Sequence, residues 1–451
     1  MIPRWVHWAR PWVVRTRNVP PLRSIYGGLY GLTVHRLRNA MREPPAGLTV
    51  LLRGSARGRV DAGLSDVDLV AVLPDVPASE EPRLVEWVVE RVRRVNRPIP
   101  LVRDVHLFQG RELVWLAQAG HNLPLLVRHD ATVMAGPALP SLPEALQRAA
   151  LRRKLAYWVH RGVEQWLLGK DEVDLLLAAR SFAKARALPP LIDGGTPVAG
   201  DHLVRAMRAR RSDRPADARE AARALMSLGN RCGTADRLAP PPVRDGRAAP
   251  DAPPGWNVLR AAPGVLGAVQ APAGCAWRTH VVLNPGDLVD ALGALRRHLR
   301  STHQGGAPPR VVTPELLERT IVMPDAASEA YLRPALGVVH GRTGLDVRAS
   351  AEELRHALAE DLLVESIKLR ARFWLADLPR ARRRAEAFLG GPAQLAEDLL
   401  AGRDVRPCTD RHPLPPSTGR SGAHHAWIQA WAPVRDAIIP RLLEAPPARP
   451  G

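Results

Sequence analysis

The chain has 451 residues, 46% hydrophobic and 24% charged, which is the balance of a folded globular protein and excludes disorder over most of its length. Its formal net charge of +19 favours anionic partners such as nucleotides, RNA or an acidic protein, against the plainer reading of a solvated basic surface. Lysine occurs only at Lys154, Lys170, Lys184 and Lys368, so almost all of that charge is arginine.

The three cysteines, Cys232, Cys275 and Cys408, are widely spaced and odd in number. That pattern suits neither a disulfide framework nor a zinc knuckle, and a reducing, cytoplasmic setting is expected. Charges and prolines interrupt the first eleven residues before a signal-peptide core can form. No run approaches the roughly 18 apolar residues of a membrane span, and no membrane partner is expected. Trp5, Trp8 and Trp12 are expected to pack onto the protein's own core.

In chain order, Ile25, Leu29, Leu32, Leu37 and Met41 recur at near-helical spacing, and Pro44-Pro45 ends that helix. Leu48 to Leu52 is a short apolar strand running into Arg53-Gly54-Ser55. Asp66 to Leu73 is a second strand, closed by Pro74. Leu84, Trp87, Val88, Val92 and Val95 mark an amphipathic helix. Leu101 to Phe108 is a third strand and Thr132 to Met134 a fourth.

Beyond residue 140 the period changes. Leu151, Leu155, Val159, Val163 and Leu167 repeat every four residues as one long helix stripe. Helices follow over roughly 172 to 188 and 200 to 230. Residues 239 to 255 and 305 to 309 are proline- and glycine-rich breaks, with a helix stripe at Leu288, Leu292, Leu295 and Leu299 between them. Thr313-Pro314 and Ser350-Ala-Glu-Glu353 resemble helix starts, the second a capping box. Trp427 and Trp431 stand one turn apart on one expected core face, and His424-His425 is expected at the surface or in a cap.

The expected fold class is α/β (α+β), a mixed-sheet domain followed by mostly helical domains. The expected divisions are 1–140 for the sheet domain and 141–238 for a helical domain closing a cleft. A proline-rich linker with a small helical insert follows over 239–310, then a C-terminal helical region over 311–451.

The chemistry concentrates in Arg53-Gly54-Ser55-Ala56-Arg57-Gly58-Arg59 and Leu64-Ser65-Asp66-Val67-Asp68-Leu69. A strand delivers the chain to Gly54-Ser55, where glycine lets backbone approach a phosphate and serine adds a hydroxyl donor. After ten intervening residues comes Asp66-Val67-Asp68. Alternate residues on a strand share a face, so Asp66 and Asp68 would stand about 7 Å apart along it. Carboxylates so placed can share divalent cations together with substrate phosphates. Asp104, inside the apolar strand Leu101 to Phe108, supplies a third acid that is costly to bury without a metal or hydrogen bonds. It would share a face with Val102, His106 and Phe108. His106 is expected to be a satisfied structural histidine. Arg180 and Lys184, four apart on a helix, face one way and are within reach of a phosphate group across a cleft, but a solvated helix face is the expectation.

This segment resembles the nucleotidyltransferase domain of the DNA polymerase β superfamily, and is especially similar to small bacterial nucleotidyltransferases and antibiotic adenylyltransferases. The resemblance covers roughly residues 20 to 140, more loosely to about 235, and leaves the long C-terminal part unexplained. It implies that Gly54 and Ser55 contact a triphosphate. It implies that Asp66 and Asp68 bind two Mg²⁺ ions, and that Asp104 binds the catalytic one and helps take a proton from the attacking hydroxyl. The implied activity is transfer of NMP, AMP the expected one, from an NTP (ATP the expected donor) to a hydroxyl acceptor with pyrophosphate release. The acceptor is a small molecule or, in an alternative reading, an RNA end. A non-catalytic basic binding protein that keeps the nucleotidyltransferase fold is the other alternative.

Overall fold

The structure is a computed structural model. It describes residues 4–53, 62, 64, 66–142, 144–146, 148–194, 197–209, 214–231, 264–269, 280–302, 310–313, 338–340, 351–401 and 412–444. The chain divides into two compact units, one of 1–145, 362–393 and 411–443, the other of 146–361, 394–410 and 444–451. The expected C-terminal region 311–451 is thus shared between the two units.

The first unit opens with α1 (Arg4–Thr16) and α2 (Pro20–Ala40), the latter started by prolines whose missing N–H is no loss in a first turn. A mixed sheet follows, from β1 (Thr49–Arg53) and β2 (Val67–Leu73), then, after α3 (Glu81–Asn96), β3 (Val102–Gln109). Helices α4 (Gly110–Gln118) and α5 (Leu123–Asp130) lead into β4 (Ala131–Ala135). The sheet order is β3-β2-β1-β4, with β2 and β3 parallel and the other pairs antiparallel. The parallel pair needs a crossover, and α3 supplies it, burying Val85, Val88, Val89, Val92 and Val95. Just past β4, Gly136 has φ +98°, and a Cβ there would fall 2.1 Å from the Leu48 carbonyl oxygen. Only glycine fits that turn.

Two expectations about the N-terminal helices are corrected. The buried stripe of α2 is Tyr26, Tyr30, Thr33 and Leu37, not Ile25, Leu29 and Leu32. Ile25 is 56% exposed and Leu32 44%. The reason is local: Tyr26 meets α1 through its hydroxyl, 2.8 Å from Thr16 Oγ1, and that bond turns the tyrosine face inward. Trp12 stands edge-on to the Tyr26 ring and remains 56% exposed, so it is not a core residue.

The second unit is built on the hairpin of α6 (Arg148–Leu168) and α7 (Glu172–Ala187). Leu151, Leu155, Val159, Val163 and Leu167 are all buried, the stripe expected from sequence. At Gly162 a Cβ would stand 2.6 Å from the Phe182 ring, so glycine permits the close approach of the two helices. Asp171 caps α7 by accepting from the Asp174 N–H. Helices α8 (Pro189–Asp193), α9 (Gly200–Ala209) and α10 (Ala218–Gly229) follow.

A second four-stranded sheet then appears, from β5 (Val265–Val269), β6 (His280–Leu283), β7 (Arg310–Val312) and β8 (Val338–His340), with α11 (Leu288–Thr302) between β6 and β7. Its order is β8-β5-β6-β7. The helical insert expected within 239–310 is α11, with Leu288, Leu292, Leu295 and Leu299 all buried, but β5 and β6 beside it were not expected, nor was β8 in the helical region 311–451. Each strand has only three to five residues, too few for an alternation to show. The prolines of 239–255, the break at 305–309, Pro314 and Ser350 lie outside the described residues. Within this unit Arg153 of α6 pairs with Glu360 at 3.1 Å, both side chains buried.

The chain ends in α12 (Ala351–Leu375), α13 (Leu378–Phe388), α14 (Gln394–Leu400) and α15 (Gly419–Leu443). From Leu362 onward α12 belongs to the first unit, as do α13 and α15. Trp427 and Trp431 are fully buried on one face, as expected. His424 is not at the surface: it is fully buried, its ring stacked on Trp427 with centroids 5.9 Å apart.

Neither nitrogen of His424 finds a hydrogen bond among the described residues, and burial, with Arg370 and His425 adding to it, lowers its pKa to about 3. The unfolded chain therefore takes up this proton first. Stability from the neutral ring is complete above the ordinary histidine value of 6.5 and falls as pH drops from there toward 3. His424→Phe removes both orphaned nitrogens. It should raise the urea midpoint at pH 5 by more than at pH 8, whereas an equal shift at both pH values would show that His424 does not titrate this way.

Candidate functional site

The polar row of the first sheet follows from register. In the antiparallel pair Arg53 of β1 stands opposite Asp68 of β2, and in the parallel pair Asp68 stands opposite Asp104 of β3. Paired residues project to the same face, so Arg53, Asp68 and Asp104 form one row across three strands. The rows behind it are Leu51, Val70 and His106, then Thr49, Val72 and Phe108. The face is polar at one end and apolar beyond.

The alignment of the two acids depends on an irregularity. Val67 pairs with Val102, but the next residue, Asp68, pairs with Asp104. Without that shift Arg103 would stand opposite Asp68. The bulge therefore sets two like charges side by side, an arrangement that disfavours folding on its own.

Asp68 and Arg53 are each mostly covered, and Arg53 Nη2 lies 3.3 Å from Asp68 Oδ2. Asp104 is exposed. His106 is two residues further along the same face, and its Nε2 is buried without a hydrogen-bond partner among the described residues, so it is not the satisfied histidine expected. Its pKa is lowered to about 4, first by burial and then by Arg53 and Lys368, against the opposing pull of Asp104. The imidazole is neutral at physiological pH.

Of the predicted site residues, the structure brings Asp68 and Asp104 together. Asp66 is half-buried and lies just before β2, which begins at Val67. Gly54 and Ser55 lie outside the described residues, but Gly54 follows Arg53 in the chain, so β1 ends at the level of Asp68. Among the described residues no group of three or more His, Cys, Asp or Glu side chains stands close enough together to hold a metal ion. The donor set on the page is two carboxylates, which suits a hard cation such as Mg²⁺ that takes its remaining ligands from water and substrate phosphates.

Sequence reasoning passed over Arg53 and Lys368 as parts of the site. Arg53 carried a signal, being the last residue of a strand that ends in Gly54-Ser55. Lys368 carried none, since only the fold brings α12 to this sheet. Lys184, in the second unit, has its ammonium 4.0 Å from the centre of the Trp158 ring, which is half-buried, so it is not on a purely solvated face.

A shallow cleft of about 550 Å³, lined by Thr49, Val72, Asp75, Arg111 and Trp115 among others, lies toward the other end of β2. It takes in none of the predicted site residues. Its lining lacks paired acids, and the polar row remains the better candidate for chemistry. Comparison with known protein families, with curated proteins and with solved structures found no match to this chain.

Proposed function

We propose that the first unit is a metal-dependent nucleotidyltransferase that moves NMP from an NTP to a hydroxyl acceptor. The observation that supports this most is the bulge that sets Asp68 beside Asp104, at the level where β1 hands the chain to Gly54-Ser55. Two adjacent carboxylates repel one another, and Asp68 and Asp104 would offset that cost by holding a divalent cation. Such an ion supplies neutralisation of phosphate charge and a fixed point for in-line displacement at phosphorus. Asp68, mostly covered and held by Arg53, is the fixed ligand. Asp104, exposed, has room to accept the proton of an incoming hydroxyl. Arg53, at the same level of the sheet, would offer its guanidinium to a triphosphate bound there, and the neutral His106 adds no charge to compete. The expected group is AMP, and both a small molecule and an RNA end remain acceptors consistent with the basic chain.

The Arg53–Asp68 pair also favours a second reading, a non-catalytic binder in which the arginine permanently satisfies the acid. Calorimetric titration with a non-hydrolysable ATP analogue separates the two. The enzyme reading predicts micromolar-range binding that needs Mg²⁺ and is lost with chelator or in Asp68→Asn. Binding indifferent to chelator and to Asp68→Asn would leave only the second reading.

A further inference from the structure

The face shared by α12 and α13 carries a charge that the fold does not require. Arg380, Arg383 and Arg384 stand at i, i+3 and i+4 on α13, so they lie on one side of it, and all three are exposed. They occupy its first two turns, where the helix dipole is positive and cations lower stability. Arg382 is engaged elsewhere, donating to Glu386 at 3.2 Å, Ser417 at 3.3 Å and the Pro415 carbonyl at 2.8 Å. On α12, Glu365, Lys368 and Arg372 stand at i, i+3 and i+7, again on one side. The two sides meet at Glu365. Its carboxylate accepts from Arg372 at 2.9 Å and from Arg384 at both oxygens, the second at 3.1 Å, and Lys368 lies 4.0 Å away. The arginines crowd one another: the Arg372 pKa is lowered by burial and, against the pull of Glu365, by Arg384 and Arg380. Five cations thus share this surface with the carboxylates of Glu365 and Asp377, and Asp377 is occupied in capping α13.

Such an excess calls for an anion, and the lack of apolar area says which. From Leu362 to Phe388 no large hydrophobic side chain is exposed. An acidic protein needs an apolar centre to its interface, and a bilayer needs apolar side chains to bury. A nucleic-acid strand needs neither, because phosphates repeated along a chain are held by charge and hydrogen bonds alone. The place of the surface fits that choice. Arg370 donates to the Leu107 carbonyl at 3.3 Å, which pins this turn of α12 against β3. Two residues earlier, Lys368 is near enough for its charge to act on His106. His106 in turn follows Asp104 by two residues on the face that carries the candidate site. Lys368 therefore links the cations of α12 and α13 to the paired acids.

We propose that α12 and α13 form a track for the phosphates of a nucleic-acid strand, and that this strand, its end led to Asp68 and Asp104, is the hydroxyl acceptor. The identity of the acceptor rests on the nucleotidyltransferase reading, whereas the track itself does not.

Fluorescence anisotropy of the full chain in chelator tests the track, with labelled RNA and DNA strands of about 20 nucleotides and with polyglutamate of matching charge. RNA alone, or RNA and DNA alike, should bind at least about tenfold more tightly than polyglutamate. Arg380→Ser with Arg383→Ser should weaken strand binding about tenfold at about 0.1 M salt and flatten the slope of log affinity against log salt by about 1.4, the share of two phosphate contacts. Arg219→Ser with Arg223→Ser removes an exposed pair on α10 and should change affinity less than about twofold. All four arginines are exposed, so circular dichroism should match wild type in both variants. The track is overturned if neither strand binds, if polyglutamate binds as tightly, or if the two variants weaken binding equally. Transfer tests the acceptor. With Mg²⁺ and labelled NTP the bound strand should take up label, and the Arg380/Arg383 variant should need about tenfold more strand for the same rate. Label entering a small molecule at equal rates with wild type and variant would overturn the strand as acceptor. Strand binding as expected, with no label moved from any NTP to any acceptor, would support the track and sink the reading of the acids.

Discussion

Arg370→Ala is expected to cost about 3–5 kcal/mol, a large part of the roughly 5–15 kcal/mol that holds a domain folded. Arg370 is fully buried on α12, and its guanidinium meets Glu81 at 2.5 Å, Glu112 at 2.7 Å and the Leu107 carbonyl at 3.3 Å. Arg435 of α15 meets Glu112 at 3.0 Å, and Gln109 donates to Glu81 at 2.9 Å. Two buried arginines balance two buried glutamates, so the cost of taking four charges from water is offset only while all four are present. Removing Arg370 leaves Glu81 and Glu112 with one positive neighbour between them. Urea denaturation measures the loss. Arg94→Ala, at an exposed pair with Glu90, should change the midpoint little and serves as the control. A change below about 1 kcal/mol for Arg370→Ala would mean that the network does not hold the unit together.

The same network fixes an acid limit. Burial pushes the Glu112 carboxyl up, but Arg370 and Arg435 outweigh it and hold the group below its ordinary 4.5. Its stabilising share is therefore present above that value and lost as pH falls through the lower, folded one. Arg370 is held protonated more firmly than usual by Glu112 and Glu81, which outweigh its burial, and it stays charged throughout.

Asp104→Asn is expected to separate activity from stability. The side chain is exposed and opposite Asp68, so the amide relieves a like-charge pair and should leave the urea midpoint within about 0.5 kcal/mol of wild type or slightly above it. Nucleotide transfer should fall by roughly a thousandfold, about 4 kcal/mol of lost metal and proton handling. A variant that loses stability and activity in parallel would make Asp104 a structural residue instead.

The first sheet could be read from sequence because each of its strands is short, apolar and bounded by glycine or proline. Asp68 and Asp104 stand out in the sequence on chemistry, as acids that an apolar strand would not otherwise carry. Their pairing was not readable, because it turns on a one-residue bulge at Arg103 that alternation cannot reveal. The stripe of α2 was misread for a related reason. Ile25, Leu29 and Leu32 fit the helical period as well as Tyr26, Tyr30 and Thr33 do, and hydrophobicity alone favours the wrong face. Packing against α3 and the Thr16–Tyr26 bond decide which side turns inward.

Long-range ion pairs were hidden altogether. Glu81 lies in the first turn of α3, where an acid is ordinary, and Glu112 is half of the capping box that opens α4. Their partners stand 289 and 258 residues away on α12, and nothing local in Leu369-Arg370-Ala371 announces a buried guanidinium. The second sheet was missed because its strands are separated by long glycine- and proline-bearing stretches, which look like linker when taken alone.

We propose that Asp68 and Asp104 together serve metal-dependent transfer of a nucleotide. The most direct measurement offers each NTP, labelled at the α-phosphate, to the full chain with Mg²⁺ and fractionated lysate, beside Asp68→Asn and a chelator control. Label should enter one acceptor fraction, RNA or small molecule, with wild type and Mg²⁺ only. Label transferred equally by Asp68→Asn, or in the presence of chelator, would contradict it.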